Sequence, residues 1–465
     1  MKNGEIFIIF PSWVFSFLGM GFSPVLASAL GTSALFFIIT SSISAHQYRN
    51  WLFWGILITF MLHPAFIFFA VSGKSSYMVL IFFYLFVMSI FRYFSTNTSY
   101  HISVASIYFT LLIFCSFKFS WLMLFILPII FFVALQSMTV AKNDPMDKIA
   151  IAFNTKSIRR KLANKTLAVY LIIFALPITA ILIFRMLNQT YTGDADYYLN
   201  SPYANYSAIT DQTDNLNNLA DNKLGRIFPE VHFLVTVRIL MFAPLLLLCL
   251  GIFKSINRNI FMVFSLFFFM EFLKIKYPNV YIPIHFYAAF ICLCWAVIAN
   301  AKSTRTLRFN KHFYFSIIIL QLVTAYLTMN ASPLPEEKKY QGALVSIMTQ
   351  KPLERDDDEK LSSYIKKISA NDGILADDAN AYQIIALTGS AKIFLTPGEN
   401  RFLAAVAQPV NHVSYILATK KESQYDSFGL LNNNTVQTLR LKGISLHPVC
   451  SNKNWILWHI KNEKK

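Results

Sequence analysis

The chain alternates long apolar runs with short polar breaks as far as residue 330; beyond that point no long apolar run occurs. A helix crosses the hydrocarbon of a bilayer with about 17–25 mostly apolar residues, fewer where the bilayer thins. The pattern predicts eleven spans, at 6–20, 25–44, 51–72, 77–91, 102–115, 119–137, 166–187, 233–253, 259–273, 283–300 and 313–330. The rest has another rhythm. Leu361, Tyr364, Ile365 and Ile368 recur at helical spacing within Leu353–Ala370,. Gly373–Asp377, Lys392–Thr396, Val413–Thr419 and Trp455–Ile460 read as strands, with a short helix over Ala379–Leu387. That alternation predicts a small α/β layer fold. The expected fold class is an α-helical polytopic membrane domain over 1–330 followed by a C-terminal α/β extracytoplasmic domain over 331–465.

Composition supports that division. Of 465 residues, 55% are hydrophobic and only 14% charged, against about 25% charged in soluble proteins,. This excludes a soluble enzyme and a disordered chain. The net charge of +17 would suit nucleic acid if it were spread evenly,. It is not: residues 331–465 hold 17 basic and 14 acidic groups, and the excess lies in loops flanking the spans. No nucleic-acid motif accompanies it.

Loop charge sets the orientation. The loop 138–165 carries Lys142, Lys148, Lys156, Arg159, Arg160, Lys161 and Lys165 against Asp144 and Asp147, so it belongs in the cytoplasm,. The loop 188–232 then lies outside, with six carboxylates (Asp194, Asp196, Asp211, Asp214, Asp221 and Glu230) and only Lys223 and Arg226. Lys2, Arg49, Arg92, Lys254, Arg258 and the basic loop 301–312 all fall inside. The N-terminus is predicted cytoplasmic and the 331–465 domain periplasmic, in a bacterial inner membrane. Ala27-Ser28-Ala29 resembles a signal-peptide cleavage site, but the apolar sequence continues to Ala45, so two uncleaved spans are expected,. Four of the five cysteines sit in apolar runs and read as small buried hydrophobes,.

Ionisable groups inside spans are costly and mark function by default. Arg185, Arg238, Glu271, Lys274, Lys276 and His285 share one predicted depth, the outer leaflet boundary, and Lys74 and Lys118 are predicted outside with them. Arg and Lys at that depth would neutralise the phosphate of a lipid-linked substrate. Asp194 or Asp196 would take the proton of an acceptor hydroxyl, with Tyr203 on the same outer loop. The plainer account is that the cations snorkel to headgroups and that Tyr197, Tyr198, Tyr203 and Tyr206 form an interfacial belt. His63-Pro64 predicts a kinked helix with a buried imidazole. Asp356-Asp357-Asp358-Glu359 reads as a solvated helix start. Gly73-Lys74-Ser75 lacks the strand and glycine-rich loop of a nucleotide site. A divalent metal is the one cofactor left open.

Three segments carry a family resemblance. They are Lys274-Ile275-Lys276-Tyr277-Pro278-Asn279-Val280-Tyr281-Ile282-Pro283 with the span behind it, Asp372–Thr396 with Ala376-Asp377-Asp378-Ala379-Asn380-Ala381-Tyr382, and Ser72-Gly73-Lys74-Ser75. Together they resemble the GT-C glycosyltransferases, integral-membrane enzymes that take sugars from polyprenyl-phosphate donors. The resemblance implies glycosyl transfer to an envelope glycan, lipid or protein at the periplasmic face. It also implies a polyprenyl-phosphate sugar and the lipid bilayer as partners. One departure stands out: GT-C enzymes usually carry their catalytic carboxylate in the first outside loop, and residues 6–45 contain none. The base would then come from Asp194 or Asp196. The alternative is a non-catalytic scaffold or assembly factor for envelope polysaccharide, whose protein partners the sequence does not name. A transporter would need charge near the bilayer midplane, which is nearly absent.

Overall fold

The computed structural model describes residues 23–44, 50–73, 76–96, 98–136, 154–196, 231–246, 256–276, 282–300, 311–330, 357–368, 372–397, 399, 401–421, 423 and 430–461. The first eleven described helices are α1 Ser23–Ser44, α2 Asn50–Leu62, α3 Pro64–Val71, α4 Ser76–Thr96, α5 Ser99–Cys115, α6 Leu122–Gln136, α7 Lys156–Thr192, α8 Val231–Phe242, α9 Ile256–Lys276, α10 Ile284–Ala299 and α11 Lys311–Asn330. One continuous apolar core draws on all of them. Helix α10 lies at its centre, with every residue from Phe286 to Ala299 buried.

Four of these helices contain stretches long and apolar enough to cross a membrane: Val25–Ile43, Ser76–Tyr93, Lys156–Tyr191 and Lys311–Met329. The bent pair α2–α3 makes a fifth if it is counted as one span. Helices α5, α6 and α10 are apolar but shorter. The remaining two are not among them: α8 has 12 residues, and α9 has Arg258 near its start and Glu271, Lys274 and Lys276 near its end. The predicted span 6–20 lies outside the described residues.

Helix α7 has 37 residues, about 55 Å at 1.5 Å per residue,. Its uncharged stretch runs between Lys165 and Arg185, a rise of about 30 Å, which matches the hydrocarbon thickness. Leu167, Leu171, Leu176, Leu182, Ile183 and Leu187 on it are exposed, as a lipid-facing side requires,.

Two helices break before a proline. The predicted span 51–72 is two helices meeting at 62°. The Ala65 N–H donates to His63 Nδ1 at 3.3 Å, so His63 caps α3 with Pro64 in its first turn,. Helix α8 stops at Phe242, and Pro244 follows. The Thr324 hydroxyl of α11 donates to the Met241 carbonyl there. Such breaks inside a bilayer are tolerated where protein groups satisfy the freed backbone.

Close approaches hold the helices in place. A β-carbon at Gly55 would overlap the Tyr314 ring, and one at Gly31 the Tyr77 ring. Ser28 Oγ donates to the Ala70 carbonyl at 2.9 Å and accepts from the Gly73 N–H at 3.2 Å, tying α1 to the end of α3.

The C-terminal region is a five-stranded mixed sheet of order β2-β1-β3-β5-β4. Its strands are β1 Ile374–Ala376, β2 Phe394–Leu395, β3 Tyr415–Thr419, β4 Leu446–Ser451 and β5 Trp455–Ile460. Strands β1, β2 and β3 run parallel, and β5 pairs antiparallel with both β3 and β4. Alternation sorts the side chains. Ile374, Ala376, Leu417, Trp455 and Leu457 pack with Leu361 and Ile365 of α12 (Asp357–Ile365) and Ile384 of α13 (Asp378–Thr388). Leu375, Ile416, Ala418, Trp458 and Ile460 pack with Phe402 of α14 (Phe402–Ala407) and Leu439 of α15 (Asn433–Leu441) on the other face. The predicted small α/β layer fold is therefore present. Strand β4 and helices α14 and α15 are additions to it.

Candidate functional site

Helices α5 and α6 are joined by a 3-10 turn, Phe117–Trp121, which carries Lys118, Phe119 and Trp121. Phe119 stacks on Phe286 in the first turn of α10, with centroids 4.7 Å apart and planes 13° apart, and on Phe269 of α9 at 5.6 Å. Flat rings fill this junction because the chain supplies an aromatic residue from each of the three elements. The stacking fixes the C-terminal end of α9 and the N-terminal end of α10 against the turn.

The predicted cations gather on this frame. Lys276 Nζ sits 3.5 Å from the centroid of the Trp121 ring. The Arg238 guanidinium of α8 lies 4.9 Å from the Tyr287 ring, one residue past the Phe119 partner. Contacts of this kind are worth about 0.5–1 kcal/mol when exposed and more when dry. Lys274 is buried at 7% exposure and Glu271 is half-buried, one helical turn earlier. His285 is half-buried beside Phe286, with ring centroids 4.6 Å apart. Tyr287 also reaches Phe242 at 5.9 Å, and Phe242 meets His63 at 4.9 Å. Arg238, Lys274, Lys276 and His285 thus share one end of the bundle.

The acidic candidates sit elsewhere on the same end. Helix α7 ends at Gly193, whose φ of 78° is left-handed and suits a residue without a β-carbon,. The chain turns there. The Asp196 N–H donates to Asp194 Oδ1 at 2.8 Å, and Arg185 donates to Asp196 Oδ2 at 3.0 Å. Arg185 therefore holds a carboxylate, where the sequence suggested a phosphate partner. Both side chains of this pair are partly exposed, at 46% and 35%. The Phe184 ring, beside Arg185, packs on Phe114 of α5 at 6.3 Å. This pair belongs to the α5–α7 flank, while Arg238 and Lys276 belong to the α6–α8–α9–α10 junction. Tyr203 and Lys74 lie outside the described residues.

Phe119, Trp121, Phe286 and Tyr287 of the junction escaped the sequence reading. Their only signal was an aromatic residue beside a predicted loop cation, common in so Phe-rich a chain. Among the described residues no group of three or more His, Cys, Asp or Glu side chains could hold a metal ion. Cys115, Cys292 and Cys294 are buried and form no disulfide among the described residues.

Neither a protein-family model nor a curated protein matches the chain.

Proposed function

We propose that this protein is a bacterial inner-membrane glycosyltransferase of GT-C type. It would move a sugar from a polyprenyl-phosphate donor to an envelope glycan, lipid or protein at the periplasmic face. The observation that carries the reading is the junction of cations on aromatic faces. Arg238 on Tyr287, Lys276 on Trp121 and buried Lys274 are joined through Phe119 and Phe286 at one end of an apolar bundle. A phosphate at the headgroup boundary would find positive charge there in a low-dielectric setting, where such charge is strongest.

In the transfer, the acceptor hydroxyl oxygen bonds to the anomeric carbon and the bond from that carbon to the donor phosphate oxygen breaks. Polyprenyl phosphate leaves with the bonding pair, and the hydroxyl proton passes to a carboxylate. Asp194 would be that base, with Asp196 paired to Arg185 at 3.0 Å. Asp196 would position it through its backbone N–H.

The second reading is a non-catalytic scaffold for envelope polysaccharide. It is favoured by the same ion pair and by the lack of a carboxylate in residues 6–45. Mass spectrometry of lipid-linked and surface glycans separates the two. In a deletion strain complemented with Asp194→Asn or Lys276→Gln, loss of one sugar with normal membrane insertion is the result expected of transfer. Glycans unchanged by both variants would remove the catalytic assignment. Uniform loss of all surface polymer in the deletion strain, restored by Asp194→Asn, would establish the scaffold.

A further inference from the structure

One row of side chains crosses the C-terminal sheet from β3 to its rim. Tyr415 on β3 stands opposite His459 on β5, and His459 stands opposite His447 on β4. Directly opposed residues of antiparallel strands share a face, with β-carbons about 4.5–5.5 Å apart. The two imidazoles are therefore neighbours by register. His447 is exposed and His459 half-buried, so solutes reach the pair.

Each imidazole is braced from its own side. The Tyr415 ring meets the His459 ring at 4.9 Å between centroids and 60° between planes. Ser445, two residues before His447, puts its hydroxyl 3.1 Å from His447 Nε2. A ligating imidazole generally has its other ring nitrogen tied in this way, which orients the ring. Nδ1 of His447 is then the atom left for a ligand. Burial and the Asp372 carboxylate hold the Tyr415 phenol above its ordinary range, so it stays protonated and serves as a wall,.

We propose that His447 and His459 form a two-imidazole site for a divalent first-row transition metal, of the copper or zinc kind, that links the rim strand β4 to β5. Imidazole nitrogen suits these metals. Among the described residues no group of three His, Cys, Asp or Glu side chains could hold a metal, so the other coordination positions fall to water. The site is accordingly open and exchangeable. The link falls where the ladder is weakest. Strand β4 is largely exposed, and its register slips between Pro448 and Cys450, starting at the residue after His447. A metal held only while the two strands are paired adds its binding free energy to that pairing. The site is confined to the C-terminal sheet and does not depend on glycosyl transfer.

The test is hydrogen exchange, read by mass spectrometry, on the full chain in detergent, with ZnCl2 or CuCl2 as the probe. At a metal concentration about ten to a hundred times the dissociation constant, amides of β4 and β5 should exchange about tenfold to a hundredfold more slowly. Copper should act at a lower concentration than zinc, and EDTA should reverse the effect. Peptides from α7, which contains no histidine, should not change. His447→Gln and His459→Gln should each raise the metal concentration for half-protection by about tenfold or more, because a lone imidazole loses its intramolecular second ligand. His447 is exposed, so His447→Gln keeps the proposal testable if His459→Gln does not fold. Absence of metal-dependent slowing in β4 and β5 of the wild type would overturn the assignment. So would half-protection at the same metal concentration in the wild type and His447→Gln.

Discussion

The His63 imidazole meets the Phe242 ring edge-on, 4.9 Å between centroids at 79°, where two helices each stop before a proline. The imidazole is fully buried, and its Nδ1 caps the helix that follows. His63→Asn keeps a capping acceptor; His63→Ala loses it and leaves a void beside Phe242. Thermal unfolding in detergent should show His63→Ala less stable than His63→Asn by about 0.5–2 kcal/mol, the usual worth of a cap. Equal melting of the two variants would mean that the break is held by Pro64 alone.

Gly55 lets α2 lie directly against Tyr314 of α11, where Trp51 and Trp295 also pack edge-on at 4.8 and 6.4 Å. A larger side chain has no room there. Gly55→Val should cost about 1–3 kcal/mol by overpacking and lower the detergent melting temperature. The double variant Gly55→Val with Tyr314→Ala should recover part of the loss.

Lys118 gives a pH dependence whose sign can be worked out. Its amine is held near 8 in the folded protein against an ordinary 10.5. The ammonium is present below about 8 and fades above it. In lipid-free protein the unfolded chain binds more protons than the folded one between about 8 and 10.5, so stability should rise across that window. Lys118→Met should flatten that profile.

Asp377, at the C-terminal end of β1, is buried and accepts the Leu430 N–H at 2.7 Å. It ties the β1 end to the segment entering α15. Asp377→Ala leaves that donor unsatisfied and should cost about 1–3 kcal/mol. Asp377→Asn, which keeps an oxygen, should cost less. Hydrogen exchange at Leu430 would report the difference directly.

Part of this architecture is legible in the sequence. The strands were, because Ile374–Ala376, Tyr415–Thr419 and Trp455–Ile460 are compact apolar runs with a two-residue period. Strand β4 was not: Leu446-His447-Pro448-Val449 reads as loop, and only its antiparallel pairing with β5 makes it a strand,. Helix α15 was missed because its apolar positions, Val436 and Leu439, are too few to stand out among Asn and Thr. The break at His63 was visible through Pro64, whereas the stop at Phe242 was hidden inside the apolar run 241–250. At the site, counting spans put Arg238 and Lys276 near one another in depth, and each rests on an aromatic ring, Tyr287 and Trp121, of the elements joined by Phe119 and Phe286. Pairing was not legible: Arg185 reaches Asp196 only because α7 ends in a left-handed glycine that turns the chain back.

The rims of the C-terminal sheet have a consequence for crowding. At one rim β2 is two residues long; at the other, β4 is largely exposed and its register slips between Pro448 and Cys450. Proline offers no amide proton, so a foreign strand arriving at β4 would find an interrupted ladder, and at β2 it would find too little to zip onto. A membrane confines its proteins to two dimensions, where neighbouring tails collide often. This sheet can meet its own copies at high surface density and still not polymerise with them.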